Sequence, residues 1–339
     1  MFRSPFLLLL PGLLALAGCS DGKRFPAVGP GNEIVVLSSG PSRALGTAVA
    51  EILRREVRVV HLEPSFVTVD DDVRELSFYR KRKMLFLVGE PDDREIRKAL
   101  RRATGTRTRT SFPGLWIETE PYSAGQIMFI LTGPIDALTE ALLTRQDELL
   151  RIVEDATVTL LATNLYRAGE VEGARDRMLA RWGWGVRLPP EWVVDDRFAA
   201  QRFVRVWHDA PVEQLFVSWE DGLVERTPEE WLARRDELVR EFYDGDEVVF
   251  DWCVTSTGPT PFSAQGVTLK GLWENDRYVI GGPFRSWAFH CPEDDRTYLV
   301  DYCVYAPDRP KRPLLRVLEA VGRTFRCGCV PPAPTGKGA

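Results

Sequence analysis

Histidine is scarce. His61, His208 and His290 are the only three in 339 residues, and none lies within a short ligand spacing of another. That excludes the sequence-local histidine clusters typical of zinc sites. The chain also has no H-E-x-x-H, no G-x-S-x-G elbow and no phosphate-cradling glycine loop, so the familiar hydrolase and nucleotide signatures are missing. No catalytic residue, metal ligand or cofactor is assigned. Beyond the first twenty residues no apolar run approaches the roughly twenty residues that a bilayer-spanning helix needs. A basic balance is lacking too: the net charge of −5 argues against nucleic acid as a partner.

The strongest signal present is at the amino terminus. Arg3 precedes an apolar segment from Phe6 to Leu16, and small residues follow up to Cys19. This is the charged, apolar, small-residue order of a secretory signal peptide, with a core too short to span a bilayer. Leu16-Ala17-Gly18-Cys19 resembles the lipobox of bacterial lipoproteins. The resemblance implies cleavage before Cys19 and attachment of diacylglycerol to its thiol, with a further acyl chain, palmitate-like, on the new amino terminus. Cysteine is required there because the thiolate is the nucleophile. Several acyl chains, at about 0.8 kcal/mol per buried methylene, give a lasting membrane anchor. Ser20, where inner-membrane lipoproteins commonly carry aspartate, implies the outer membrane, with the protein facing the periplasm. Residues 1–18 are thus read as a leader. Residues 19–32, rich in Gly, Pro and charge towards their end, are read as a tether.

About 320 residues remain after the leader, a length typical of two domains. Five further cysteines, Cys253, Cys291, Cys303, Cys327 and Cys329, fall in the last third. In an oxidising envelope they are candidates for disulfides, and their odd number leaves at least one without an internal partner. Nine of the ten tryptophans lie from Trp182 onward, which reads as an aromatic β core or, alternatively, a sugar-stacking platform. The basic cluster from Arg94 to Arg109 reads as a solvated face, or as a contact for anionic lipid or glycan.

Residues 33–134 alternate strand and helix patterns. "EIVVLS" from Glu33 and "MLFLV" from Met84 are buried strands. Helices are expected from Pro41 to about Arg55, over Asp70–Tyr79 and from Asp92 towards Arg102, with further strands at Val57–Leu62, Leu115–Glu118 and Gln126–Leu131. The fold class is an α/β layered domain with a mixed sheet. Residues 135–181 keep an apolar stripe near helical spacing and read as one long bridging helix or two nearly collinear ones, with Gly169 and Gly173 as breaks. Residues 182–326 read as an α+β sandwich on an antiparallel sheet. Within it, Thr227-Pro228-Glu229-Glu230 starts a helix by a capping box, and a last helix runs from Lys311 to about Phe325. Gly281-Gly282-Pro283 reads as a bend entering a strand. Residues 327–339 are expected to be a disordered tail.

"LPPEW" at Leu188–Trp192 and the closing helix after "YCVYAPDRPKR" resemble the PsbP-like fold. The chain as a whole resembles a bacterial lipoprotein family known as domain of unknown function 4837. The residues carrying that likeness are Gly31–Val36, Glu63-Pro64 with Phe66, Arg82 before Met84–Val88, Leu188-Pro189, Gly271-Leu272-Trp273, Gly281–Phe284, and Tyr302–Pro307 with Lys311-Arg312. The family implies architecture and address but no activity. The expected role is non-enzymatic: a membrane-anchored envelope lipoprotein contacting another envelope protein or a glycan through the inter-domain groove or the Trp-rich sheet. Two alternatives are a hydrolase acting on an envelope polymer, with Glu63, Asp70, Asp71 and Asp72 as candidate carboxylates, and a lipid or glycan carrier. For Asp70–Asp72, capping of a helix start is the competing explanation.

Overall fold

Three apolar runs, Ile34–Leu37, Met84–Val88 and Ile127–Leu131, are buried along their whole length. Strands of that texture belong inside a parallel sheet covered on both faces. In a computed structural model describing residues 24–209 and 211–328, they form the centre of the first module. Its elements are β1 (Glu33–Ser38), α1 (Arg43–Arg54), β2 (Glu56–Arg58), β3 (Leu62–Pro64), β4 (Val67–Asp72), α2 (Leu76–Tyr79), β5 (Met84–Gly89), α3 (Arg94–Arg102), β6 (Thr106–Arg109), β7 (Leu115–Thr119) and β8 (Ile127–Thr132). The sheet order is β4-β1-β5-β8-β7-β6. β4, β1, β5 and β8 run parallel, while β7 and β6 are antiparallel, which is the expected mixed sheet. β2 and β3 form a separate small hairpin.

Two differences from the sequence pattern stand out in this module. The stretch Asp70–Tyr79, expected to be helical, is a strand end, a 3-10 turn at Val73–Glu75 and only the short α2. Val69 alternates with polar neighbours at a period of two, and parallel pairing with β1 settles the choice. Residues 24–32, expected to be tether, lie on the module. Pro26 and Val28 bridge to Ala124 and Arg82, and the Val28 and Lys83 N–H groups donate to Lys81 and Val28 carbonyls. A Gly/Pro-rich segment has no helix of its own to form, but its backbone groups pair readily with an adjacent edge.

Residues 135–181, expected to be one rod or two, are divided into α4 (Ile135–Thr144), α5 (Gln146–Leu165) and α6 (Ala174–Trp182). Arg145 leaves helical geometry at φ −128°, ψ 33°. The second break was anticipated: Gly173 sits at φ 63°, a conformation that costs glycine nothing. The 20-residue α5 is the bridge itself. Its Leu149, Leu150 and Val153 pack beneath the first sheet.

The second module contains β9 (Val193–Asp195), β10 (Phe203–His208), β11 (Val212–Asp221), α7 (Pro228–Phe242), β12 (Glu247–Gly258), β13 (Gly266–Asn275), β14 (Ile280–Cys291), β15 (Arg296–Tyr305) and α8 (Arg312–Gly322). Its seven strands are ordered β12-β13-β14-β15-β11-β10-β9 and are antiparallel throughout. The Thr227–Glu230 capping box forms reciprocally. α7 covers one face with Trp231, Leu238 and Phe242; α8 covers the other with Leu315, Leu318 and Val321 against Trp287 and Tyr302. Gly281-Gly282-Pro283 lies inside β14 rather than at a bend before it. Most of the tryptophans, Trp184, Trp192, Trp219, Trp231, Trp273 and Trp287 among them, are buried. They are core, as the aromatic-strand reading has it.

Candidate functional site: a cationic groove between the modules

The two modules meet where α8 points its amino end at the β2–β3 hairpin. Glu63 on β3 is 9% exposed, and its carboxylate accepts the Lys311 N–H (2.9 and 3.0 Å to its two oxygens) and the Arg312 N–H (2.9 Å). No residue of α8 caps its own first turn, so the cap comes from the other module, with charge of the sign that a helix N-terminus favours. Arg312 and Arg316, one helical turn apart, both pair with Glu154 on α5. Arg316 also donates to the Ser65 carbonyl at 2.7 Å, and its guanidinium lies 4.0 Å from the centre of the Phe66 ring. Arg323 closes the row on Asp155 at 2.8 Å.

Beside this seam opens a cavity of about 470 Å³, lined by both modules. Six of its lining side chains are basic, namely Arg55, Arg58, Arg151, Lys270, Arg285 and Arg312; two are acidic, Asp147 and Glu154. Both acidic groups are committed, Asp147 to Arg55 at 2.7 Å and Glu154 to the α8 arginines. Lys270 and Arg285 are direct cross-strand partners between β13 and β14, a like-charged pairing that costs stability. Arg285 has Glu319 at 2.9 Å. Lys270 has no carboxylate within ion-pair distance among the described residues. Although its residue is exposed, the neighbouring Arg285 charge holds the Lys270 ammonium below its usual pKa. Burial likewise lowers that of Arg312, which is 5% exposed and whose Nε has no hydrogen-bond partner.

The outer wall comes from β12. Its pairing with β13 shifts register between Val249 and Val254, and such a bulge re-aims side chains at a sheet edge. Phe250, Trp252 and Val254 are exposed, Trp252 by 42%, and the Arg58 guanidinium lies 5.0 Å from the centre of the Trp252 ring. The bulge brings Cys253 against Gly271, where a Cβ would stand 2.4 Å from its Sγ. Only glycine fits there.

The carboxylates singled out from the sequence do not converge. Glu63 is the cap of α8. Asp70 accepts from Thr47 at 2.9 Å and pairs with Arg43. Asp71 accepts from the Tyr79 hydroxyl at 2.9 Å. Asp72 caps the 3-10 turn by accepting the Arg74 N–H and is held below the usual carboxylate range by Arg74. Among the cysteines, Cys291 and Cys327 form a disulfide. Cys253 and Cys303 are free thiols, contrary to their candidacy for pairing: Cys253 is taken up by the bulge, and Cys303 is buried opposite Phe284. Burial raises the pKa of both. The bond to Cys327 also carries ordered chain past residue 326, where the tail was expected to start. Cys19, Cys329, the leader and residues 329–339 lie outside the described residues.

Sequence reasoning named an inter-domain groove as one of two candidate contact surfaces, but proposed none of the cations that line the cavity as binding groups. Arg58, Lys270, Arg285 and Arg312 come from a hairpin, two strands and a helix start, and no spacing links them. The one available signal was "RPKRP" at Arg309–Pro313, which the sequence reading used for a helix start and for the family resemblance.

Fold and groove together define a two-module protein, α/β and α+β, with a basic cleft at the junction. Residues 212–324 match the family described as Domain of unknown function (DUF4837), so the family likeness is supported over the greater part of the second module. No curated protein matches the chain. Among solved structures it is similar to the Ran-binding protein Mog1p of Saccharomyces cerevisiae, at 12% identity over 43% of this chain and 90% of that one, with a TM-score of 0.30. It is also similar to a protein of Bacteroides thetaiotaomicron at 9% identity, over 43% and 45% of the two chains, with a TM-score of 0.26.

Proposed function

We propose that the chain is a lipoprotein of the bacterial envelope, acylated on Cys19 after loss of residues 1–18 and held on the outer membrane facing the periplasm, with a second module of PsbP-like type. In this reading its role is non-enzymatic: it holds another envelope component in the groove between its modules. The observation that carries the role is the surplus of basic groups in that groove beside the half-exposed Trp252. The hydrolase alternative, by contrast, relies on Glu63 and Asp70–Asp72, each of which is spent on a structural bond. The address rests on the Leu16–Cys19 pattern and gains a geometric consequence. Because residues 24–32 are docked on the first module, only the links from Cys19 to Arg24 remain as spacer, about 17 Å when fully extended. The first module would therefore ride close to the bilayer surface.

The test is fractionation of cells expressing the wild type and Cys19→Ala, followed by cross-linking in native membranes. The expected result is a wild-type protein that needs detergent for release and carries acyl mass on Cys19, a released Cys19→Ala, and a specific cross-linked partner from a photoreactive residue placed at Val254. An unmodified thiol on a soluble wild-type protein would end the lipoprotein reading. Cross-links that fail to differ from those of an exposed residue that does not line the groove, such as Leu143 on α4, would end the groove reading.

A further inference from the structure

We infer that the groove takes an anionic saccharide, a sugar ring bearing one phosphate or carboxylate, with the oxyanion met by Lys270, Arg285 and Arg312 and the ring against Trp252. This deepens the groove-binding proposal above and rests on it. Three observations converge on the anion. Lys270 and Arg285 are set directly opposite each other in the ladder, where two like charges repel. Glu319 answers Arg285 but no carboxylate among the described residues answers Lys270, and a fold keeps such a pair at lower cost when a further counter-charge arrives from outside. Arg312 is buried, lines the cavity, and spends only part of its guanidinium on Glu154, leaving Nε without a partner; a buried donor without an acceptor is costly until a ligand supplies one. The cavity has four more basic than acidic lining groups in a chain whose net charge is −5, so its field runs against that of the whole protein and concentrates anions locally.

The ring follows from the other wall. The bulge in β12 turns Trp252 towards the cavity, and a flat, half-exposed indole suits the apolar face of a sugar while its rim stays polar. The volume of about 470 Å³ lies within the range that encloses a small ligand rather than a polymer chain. Arg58, which lies over the Trp252 ring and has no carboxylate partner among the described residues, stands where it can close on the anion from the hairpin side.

The test is titration calorimetry on the full chain in neutral detergent with glucose 6-phosphate, glucuronate, inorganic phosphate and glucose. The first two are expected to bind, inorganic phosphate at least about tenfold more weakly, and glucose not measurably, because a charged hydrogen bond to the oxyanion dominates. Lys270→Glu is expected to weaken the two anionic sugars by at least about tenfold while leaving the melting temperature unchanged or raised, since it replaces the like-charged pair by an attractive one with Arg285. Arg58→Ser, on the exposed hairpin, gives a second variant free of folding effects and is expected to weaken binding several-fold. Equal affinity for phosphate and glucose 6-phosphate would overturn the sugar, and binding indifferent to Lys270→Glu and Arg58→Ser would overturn the site. If no anion binds while the Val254 photoprobe still captures an envelope component, the anion inference fails and the groove reading stands. If both fail, both are wrong.

Discussion

Removal of the Glu63 carboxylate is the sharpest perturbation of the junction. Glu63→Ala strips the acceptor from the Lys311 and Arg312 N–H groups at the start of α8. Loss of a good N-cap costs about 1 to 2 kcal/mol. The attraction between a partly buried carboxylate and a helix N-terminus adds about 0.5 to 2 kcal/mol. Because both cap and charge come from the opposite module, nothing on α8 replaces them, and the expected loss is about 1.5 to 4 kcal/mol. Glu63→Gln keeps one acceptor oxygen but gives up the charge and the second acceptor of the Lys311 N–H, so its expected loss is intermediate, about 1 to 2 kcal/mol. Urea unfolding measures this, followed by tryptophan fluorescence, which reports almost wholly on the second module because Trp116 is alone in the first, and by far-ultraviolet circular dichroism, which reports on both. In the wild type the two signals should coincide; in Glu63→Ala they should separate as the modules lose their coupling. The exposed Glu51 on α1 is the control, with Glu51→Ala expected within about 0.5 kcal/mol of the wild type. A Glu63→Ala protein as stable as Glu51→Ala, with coincident transitions, would refute the idea that this carboxylate joins the modules.

Two other perturbations have signs fixed by the structure. The Cys291–Cys327 disulfide closes a span of 36 residues, and its loss in Cys327→Ser should cost up to about 4 kcal/mol by the loop-entropy relation; a melt insensitive to both the substitution and reductant would contradict it. Burial lifts the Glu213 carboxyl to about 7, with the His208 imidazole 3.9 Å away. The folded form therefore holds a proton that the unfolded chain releases near 4.5, so stability should fall as pH rises from about 5 through 7. Burial also raises Asp246, to about 6, with the same sign. Glu213→Gln should remove the upper part of that slope, and an unchanged profile between pH 6 and 8 would refute the assignment.

The fold was largely legible because its signals are local. Apolar runs such as Met84–Val88 can only be buried strands in this setting, and Thr227–Glu230 announces a helix with four residues. Errors arose where a distant partner decides. Asp70–Asp72 have no helical or strand preference strong enough to resist pairing with β1, and residues 24–32 look like a free tether until the edge they dock on is known.

The groove was illegible for a different reason. In sequence, Lys270 and Arg285 are two ordinary charges on polar-faced strands, and Arg312 is one of several basic residues opening a helix. What distinguishes them is where their neighbours fall: the β13–β14 register sets the first two opposite each other, and the Glu63 cap fixes α8 so that Arg312 is buried. A basic residue on a solvated face relaxes into water and carries no information. Among these three, Arg285 is answered by Glu319 and Arg312 in part by Glu154, which leaves the charge of Lys270 and the idle Arg312 Nε as costs that the surrounding side chains do not relieve. Cost of this kind at a junction between modules is what motivates the binding proposal, and it exists only in three dimensions. In the proposed reading it also ties recognition to architecture, since Glu154 holds α8 to the first module through Arg312, a cavity-lining arginine whose buried Nε has no hydrogen-bond partner. A ligand reaching Arg312 would therefore draw on the interface itself, and binding should stabilise the coupling between the modules as well as the site.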